Sequence, residues 1–141
     1  MLQIVETFSR LPLEQLEGIY GNGLDVDYLR YEFFSVPGAV YCLWLVDGAC
    51  VSAVRLEPWL DGWLLSGLET APDQRNRGYA RELIKAVQSR FAGGKLYSHI
   101  YHRNRASVRV HEACGFQKIS DCATYLDGSV VSHSGTYLVE L

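Results

Sequence analysis

The residues best suited to chemistry lie together in one short segment, Arg75-Asn76-Arg77-Gly78-Tyr79-Ala80. The segment comes directly after an apolar strand-like run and begins an amphipathic helix. The first turn of a helix exposes unpaired backbone N–H groups at the positive end of its dipole, and such a terminus binds anions. Two arginines add charge, Gly78 lets a ligand approach the backbone, and Ala80 leaves room. The segment therefore predicts a phosphate-binding site.

The charge of the chain is divided by region. The net charge of −3 combines −8 over residues 1–74, where eleven acids accompany three arginines, +8 over residues 75–109 and −3 over residues 110–141. A basic block of this kind suits nucleic acid or a small polyanion. The sequence pI of about 5.8 disfavours a nucleic-acid surface, because such surfaces usually make the whole domain basic. The pattern favours a small phosphorylated ligand and no nucleic acid.

Length and composition predict one folded domain, residues 1–141. Hydrophobic residues make up 48% of the chain and charged residues 21%, as is typical of globular proteins. No apolar run approaches the ~18 residues of a membrane span, and the first residues do not resemble a signal peptide. The four cysteines form no C-x-x-C pair and no metal-ligand spacing. We therefore expect a cytoplasmic protein with free thiols, no metal and no membrane partner.

Turn and periodicity signals predict a mixed α/β fold. Asp47-Gly48, Asp61-Gly62 and Asp127-Gly128 are hairpin turns between apolar runs. A strand, an amphipathic helix from Gly78 and another strand predict one right-handed parallel crossover, and Asn104 is a suitable N-cap for the last helix. The fold is therefore a mixed sheet with helices on both faces, and not a doubly wound Rossmann fold. The predicted strands cover residues 1–7, 39–46, 49–56, 63–70, 96–101, 118–126 and 130–141, and the predicted helices residues 12–20, 25–36, 78–92 and 104–114.

Two motifs resemble the GNAT superfamily of acetyl-CoA-dependent N-acetyltransferases. Arg75, Gly78 and Ala80 match the family's loop, Gln/Arg-x-x-Gly-x-Gly/Ala, which also follows a strand and precedes a helix. The second motif runs from Asn104 to Phe116 and is similar to the family's Asn-x-x-Ala-x-x-x-Tyr-x-x-x-Gly-Phe region, with alanine one place earlier. The resemblance covers roughly residues 63–117. It implies a GNAT-like fold, with a mostly antiparallel sheet and one parallel crossover.

The resemblance also implies acetyl-CoA as co-substrate and the residues that hold it. In the family, backbone amides of the loop bind the pyrophosphate, and the preceding strand pairs with the pantetheine arm. The pyrophosphate contacts correspond here to Arg75, Asn76, Arg77, Gly78, Tyr79 and Ala80, and the pantetheine contacts to Leu68, Glu69 and Thr70. Asn104 is expected to contact the cofactor arm or only to cap its helix.

Acetyl transfer to an amine uses a base for the ammonium proton and an acid for the departing thiolate. We predict Glu69 as the base, because it lies beside the expected pantetheine contacts; the alternative is a solvated or salt-bridged glutamate. The family's usual tyrosine, four residues before the Gly-Phe pair, is replaced by His111. A histidine can donate a proton near neutral pH, so we predict His111 as the acid. Tyr101 and Tyr79 are alternative donors, and a purely structural role for His111 stays open.

The predicted function is direct acetyl transfer to a primary amine of a small molecule or protein, without a covalent enzyme intermediate. Cys114 lies on the motif helix, but no histidine or aspartate partner is placed by spacing. The alternative is a non-catalytic CoA-binding or regulatory module, for which the missing tyrosine is the argument. The acidic first 74 residues suit a cationic acceptor, although scattered solvated carboxylates explain them equally. A homodimer is compatible with the sequence.

Overall fold

Nine strands and four α-helices follow one another along residues 1–141, all of which are described by a computed structural model. Short 3-10 turns at Phe8–Arg10, Gly21–Gly23, Phe33–Ser35 and Pro72–Gln74 connect some of them. The helices are α1 (Leu13–Tyr20), α2 (Val26–Tyr31), α3 (Tyr79–Arg90) and α4 (Arg105–Ala113). The strands are β1 (Leu2–Val5), β2 (Val40–Val46), β3 (Ala49–Trp59), β4 (Gly62–Thr70), β5 (Lys95–Tyr101), β6 (Gln117–Ser120), β7 (Ala123–Thr124), β8 (Val130–Val131) and β9 (Ser134–Glu140).

Seven of the strands form one sheet, in the order β1-β2-β3-β4-β5-β9-β6. Every neighbouring pair is antiparallel except β4 and β5, which are parallel and are connected through α3. The remaining strands, β7 and β8, pair with each other in a separate small hairpin. This arrangement confirms the predicted mixed, mostly antiparallel sheet with one parallel crossover.

Alternate residues of the strands build two cores on opposite faces of the sheet. On one face, Cys42 and Val54 belong to a cluster with α3, and this side is called the α3–α4 face. On the other face, Tyr41 and Ala53 belong to a cluster with α1 and α2, and this side is called the α1–α2 face. The helical residues of the two clusters recur at the spacing of one helix face: Leu83, Ile84 and Val87 in α3, and Leu16, Ile19 and Leu29 in α1 and α2. Helices therefore cover both faces, as predicted.

Three predicted elements are divided in the structure. One is the predicted strand 130–141, because β8 ends at Val131 and β9 begins at Ser134. The predicted strand 118–126 is wrong as a single element, because β6 ends at Ser120 and β7 begins at Ala123. Between them the chain bends: Ser120 Oγ accepts the Cys122 N–H at 3.1 Å, and Asp121 accepts from Lys118 Nζ at 2.8 Å. The predicted helix 25–36 is also divided, since α2 ends at Tyr31 and a 3-10 turn follows.

The parallel strands β4 and β5 separate soon after they meet. Their ladder covers only Trp63–Leu65 and Leu96–Ser98, although both strands continue. In the β3–β4 ladder, Ala53 pairs with Glu69 and Arg55 with Ser66, so β4 carries one extra residue. This β-bulge contains Gly67, whose φ of +66° favours glycine. The bulge lies where β4 leaves β5.

A tyrosine of α1 holds the bulge in place. The Tyr20 hydroxyl donates a hydrogen bond to the Gly67 carbonyl oxygen. Burial raises the pKa of Tyr20 well above its ordinary value, so the hydroxyl stays protonated and remains a donor. A bulge leaves backbone groups without a partner in the ladder. The α1 helix therefore supplies the partner that the sheet does not.

Tyr20→Phe is expected to destabilise the protein by about 1–3 kcal/mol, because the Gly67 carbonyl is left without its donor in a partly buried setting. Urea denaturation measures the free energy of unfolding. Tyr31→Phe is the matched control, since Tyr31 is 67% exposed and removing an exposed hydroxyl changes stability by about 0.5 kcal/mol or less. Equal, small effects of both substitutions would show that Tyr20 does not support the bulge.

Candidate active site

A groove of about 560 Å³ lies between the end of β4, the start of α3 and one side of α4. Nine of the ten predicted cofactor contacts line it: Leu68, Glu69, Thr70, Arg75, Asn76, Gly78, Tyr79, Ala80 and Asn104. The tenth, Arg77, is exposed and does not line the groove. The structure therefore brings together residues from two motifs about 25 positions apart in the sequence.

The groove also contains residues that the sequence reasoning missed. Five of them belong to α4. Four of these lie at positions i, i+3, i+4 and i+7 of one helix face: Ala106, Arg109, Val110 and Ala113. Helical spacing, with small residues at both ends, is the signal that could have found this face. Gln74, Arg81 and Ser107 complete the lining.

The loop before α3 presents a row of backbone N–H donors. None of the backbone N–H groups of residues 75–81 donates a hydrogen bond within the protein. The first backbone donor of α3 is Glu82, whose N–H donates to the Gly78 carbonyl oxygen at 3.0 Å. Asn76 and Gly78 have φ values of +63° and +82°, which turn the chain into the helix. A Cβ on Gly78 would meet no protein atom within 4 Å, so the space before the donors is open. These donors fit a diphosphate.

Cations dominate the charge of the groove. Arg75, Arg81 and Arg109 line it, and Glu69 is its single acid. An Arg75 nitrogen lies 3.5 Å from Glu69 Oε2, and Arg75 Nε donates to the Thr70 oxygen at 3.3 Å. Both side chains are about half exposed, and ion pairs of that exposure contribute only about 0–1 kcal/mol. An anionic ligand can therefore replace Glu69 as the partner of Arg75 at small cost.

A second cavity, here called the cleft, occupies the gap between the separating strands β4 and β5. Its volume is about 280 Å³, and it shares Leu68, Glu69, Asn104 and Ser107 with the groove. Ser98 and Ile100 reach the cleft from the α3–α4 face, and Ser66 and His99 from the α1–α2 face. The cleft therefore adjoins the groove and is lined by residues from both faces of the sheet.

His111 lines the cleft from α4 and is held in one orientation. The ring is only 2% exposed and packs edge-on against Phe116, with 4.9 Å between the centroids. Its Nδ1 lies 2.7 Å from the Ser107 carbonyl oxygen, one helical turn earlier. A carbonyl oxygen only accepts, so Nδ1 carries the proton and donates it to this bond. Nε2 is buried and has no partner in the protein.

The protonation of His111 follows from this environment. Burial lowers the pKa of His111 below its ordinary value, and the bond to Ser107 opposes the shift only in part. The neutral ring, with its proton on Nδ1, presents a lone pair at Nε2. His111 can therefore donate a proton from Nε2 only after Nε2 has accepted one. The motif spacing identified His111 as a candidate acid. Its buried surroundings add that Nε2 must accept a proton before it can donate one.

The other candidate groups occupy distinct places. Tyr79 lines the groove, and Tyr101 lines the cleft while remaining 44% exposed. Cys114 is buried, its thiol donates to the Arg81 oxygen at 3.9 Å, and burial raises its pKa, all of which disfavour a nucleophilic role. All four cysteines are unpaired. No three metal-ligating side chains cluster, and no helix has the length and apolar character to cross a membrane.

Comparison with known proteins identifies the family. Residues 6–116 match the Acetyltransferase (GNAT) family, which is more than half of the chain. The chain therefore belongs to the GNAT acetyltransferase family, and the resemblance seen in its two motifs is confirmed. No curated protein matches the sequence.

Solved structures share the fold over nearly their whole length. The IAA acetyltransferase from Bacillus cereus has a TM-score of 0.71 at 13% identity, with 100% of this chain and 99% of that chain covered. An acetyltransferase from Thermus thermophilus has a TM-score of 0.68 at 18% identity, covering 100% and 97%. The ribosomal-protein-alanine N-acetyltransferase from Brucella melitensis has a TM-score of 0.64 at 18% identity, covering 100% and 99%. Identities this low show the shared fold alone.

Gly78→Ala is expected to weaken CoA binding at least about tenfold, because a methyl group would occupy the open space before the N–H donors. Gly93→Ala is the matched control: Gly93 has a φ of +91°, and a Cβ there also meets nothing within 4 Å. Both substitutions strain the backbone by about 1–2 kcal/mol, but only Gly78 lies in the groove. Isothermal titration with CoA measures the difference. Equal affinities in the two variants would contradict the assignment of the loop.

His111→Gln is expected to reduce the pH dependence of stability. The folded protein keeps His111 neutral at pH values where the unfolded chain binds a proton, so stability falls as the pH drops through the ordinary histidine pKa. Between about pH 7 and pH 5, the wild-type free energy of unfolding should fall more steeply than that of the variant. The exposed His102→Gln is the control. Parallel curves for wild type and His111→Gln would show that burial does not perturb the imidazole.

Proposed function

We propose that this chain transfers the acetyl group of acetyl-CoA to a primary amine by direct attack. The observation that supports it is the continuity of groove and cleft, which meet at Leu68, Glu69, Asn104 and Ser107. The groove suits a phosphorylated cofactor, and the adjoining cleft is lined by residues from both faces of the sheet. An acceptor that enters from the α1–α2 face thus meets the cofactor at the cleft.

The residues of the groove hold the cofactor in two ways. The N–H groups of residues 75–80, with the side chains of Arg75, Arg81 and Arg109, bind the diphosphate. Beyond Leu65 the edge of β4 that faces β5 has no strand partner, so the backbone of Leu68–Thr70 offers donors and acceptors to the amides of the pantetheine arm. When bound, acetyl-CoA supplies an activated thioester carbonyl and a thiolate leaving group.

Glu69 receives the first proton. Glu69 lines both the groove and the cleft, which supports its action on an ammonium in the cleft. Without a bound anion the carboxylate is 3.5 Å from Arg75. Binding of phosphate by Arg75 leaves Glu69 to attract the ammonium and to take its proton, directly or through water.

His111 handles the second proton. The attacking amine must lose another proton as the amide forms. His111 lines the cleft, and Nε2 of its neutral ring is a buried acceptor without a partner in the protein. The resulting imidazolium, still donating from Nδ1 to Ser107, then gives the Nε2 proton to the thiolate. The ammonium has three protons: one leaves through Glu69, one ends on the CoA thiol, and one stays on the amide. In this proposal His111 acts first as a base and then as an acid.

A CoA-binding module without catalysis is the second candidate function. It is favoured by one observation, the histidine at the position where the family commonly has tyrosine. Both candidates require CoA to bind in the groove, but only an enzyme releases free thiol when an amine is added. Turnover therefore distinguishes them.

Glu69→Gln and His111→Gln are expected to lower kcat by about 10²–10³-fold, the usual size of a general acid–base contribution, while the affinity for CoA changes less than about threefold. The measurements are release of CoA thiol with a panel of amines, and thermal shift with acetyl-CoA. Glu112→Gln is the control, because Glu112 is the exposed neighbour of His111 and lines neither cavity. Activity should fall at acidic pH only below the ordinary histidine pKa, since burial lowers the pKa of His111.

The outcomes separate the assignments. Full activity of either variant would exclude that residue from the chemistry. A thermal shift with acetyl-CoA, together with no thiol release for any amine, would support the binding module. Absence of any shift at millimolar acetyl-CoA would overturn the proposed function as a whole.

A further inference from the structure

Arg55 is a partly buried cation without an anionic partner. It lies on β3 and is only partly accessible. None of its nitrogens lies within 4.0 Å of a carboxylate oxygen, since the ion pairs of the structure involve only Arg75, Lys95 and Lys118. Its Nε is buried and has no hydrogen-bond partner. Withdrawing a guanidinium from water without pairing it is costly, so this position calls for a reason beyond packing.

The surroundings of Arg55 satisfy the face of the guanidinium but not its edge. Its Cζ lies 5.6 Å from the ring centre of Tyr28 and 6.0 Å from that of Phe33. Such cation–π contacts stabilise the charge through the flat face of the group. The N–H donors in its plane need oxygen acceptors. Glu57, two residues along the same strand, forms no ion pair with Arg55. Burial raises the pKa of Glu57, and the positive charge of Arg55 opposes that shift.

Arg55 also lies against the bulge that borders the cleft. A Cβ on Gly67 would fall 2.6 Å from Nη1 of Arg55, so the guanidinium occupies the space that only a glycine leaves. Its cross-strand partner in the sheet is Ser66. Both Ser66 and Gly67 line the cleft. Arg55 does not itself line the cleft; its guanidinium lies directly behind these two residues, on the α1–α2 face.

A second polar residue on this face also lacks partners. Both ring nitrogens of His99 are buried without a hydrogen bond, although the ring lines the cleft. The ring is held edge-on by Trp59 and Tyr125, with centroid distances of 5.2 and 4.8 Å. Unsatisfied buried polar groups are few in folded proteins. Their occurrence on both Arg55 and His99, beside one opening, indicates a polar ligand there.

We propose that Arg55 binds a carboxylate of the acceptor, so that the substrate is an amine that also carries a carboxylate, such as an amino acid. The inference rests on the proposed acetyl transfer. A carboxylate matches the planar fork of a guanidinium with two parallel hydrogen bonds. The acidic residues of the first 74 positions do not form ion pairs with Arg55. Several of them are exposed on or next to α1 and α2: Glu14, Glu17, Asp27 and Glu32.

The test compares matched acceptors, the L-amino acids and their C-terminal amides, by kcat/KM for release of CoA thiol. For the best amino acid, the wild type should prefer the acid over its amide by about 100-fold, the size expected for a charge-assisted bidentate pair. Arg55→Gln should abolish that preference and leave turnover of the amide within about threefold. Arg55→Lys keeps the positive charge but not the planar guanidinium, so its preference for the acid should lie between those of the wild type and Arg55→Gln.

Arg30→Gln is the matched control. Arg30 also lies over aromatic rings, those of Phe8 and Tyr31 at 4.7 and 5.7 Å, but it is exposed and away from the cleft. It should keep the wild-type preference. Equal use of acids and amides by the wild type would overturn the inference. So would an equal loss on both by Arg55→Gln, which would mark Arg55 as structural.

A binding measurement keeps the inference testable without turnover. With CoA present, N-acetyl amino acids should raise the melting temperature of the wild type more than their amides do, and Arg55→Gln should remove the difference. If no N-acetyl amino acid stabilises the wild type more than the variant, Arg55 does not bind the carboxylate, even where the shift with CoA alone persists. Loss of the CoA shift itself would instead count against the proposed function.

Discussion

The separation of β4 and β5 is the constraint on which the site depends. Parallel neighbours in a sheet ordinarily satisfy each other's backbone groups along their length. Here the ladder stops at Leu65 and Ser98, because the extra residue at Gly67 bends β4 away. The bent strand stays ordered since Tyr20 meets the Gly67 carbonyl from α1 and Ser52 Oγ meets the Glu69 carbonyl at 2.8 Å. These hydrogen bonds hold β4 in place without using the edge of β4 that faces β5, so that edge stays free.

The polar groups left without partners are concentrated around that opening. The buried unpartnered side-chain atoms of the chain belong to Tyr41, Arg55, His99 and His111. The last two line the cleft, and Arg55 lies against its bulge. The fourth residue, Tyr41, lies in the core of the α1–α2 face. Other buried polar side chains are satisfied, as Thr136 is by its bond to the Cys122 carbonyl at 2.7 Å. A buried polar atom without a hydrogen bond destabilises the fold by about 1–3 kcal/mol. Most of this destabilisation arises around the cleft, where a bound ligand can supply the missing hydrogen bonds.

Local signals in the sequence were sufficient for most of the elements. Asn104 Oδ1 accepts the Ser107 N–H at 3.1 Å, so the predicted cap of α4 forms. Asp25 Oδ1 likewise caps α2 by accepting the Tyr28 N–H at 3.0 Å. Caps, tight turns and helix periodicity depend on residues a few positions apart, and the residue types alone carry that information. The same holds for the predicted phosphate-binding loop, whose N–H donors all come from the start of one helix.

The long-range features were beyond those signals. Nothing near Arg55 announces that α1, α2 and the bulge enclose it, although an isolated glycine inside a strand, Gly67, was a recognisable sign of a bulge. The break after Ser120 likewise depends on which stretch of β9 pairs with β6. His111 shows most clearly the difference between what local sequence signals predict and what long-range packing decides. Spacing located it, but its protonation depends on Phe116 packing and on the Ser107 carbonyl.

The proposed acceptor gives the charge distribution of the chain a common explanation. Of the three arginines in residues 1–74, only Arg55 is partly buried, while Arg10 and Arg30 are exposed among acids. An acidic surface repels simple anions, yet a zwitterionic amino acid carries no net charge and can approach it. In the proposal, the ammonium of the amino acid lies near Glu69, and its carboxylate binds Arg55. The ladder pairs Ala53 with Glu69 and Arg55 with Ser66, so these partners lie on neighbouring strands around Gly67. The same extra residue that opens the sheet for the cofactor thus separates the two charges that select the acceptor.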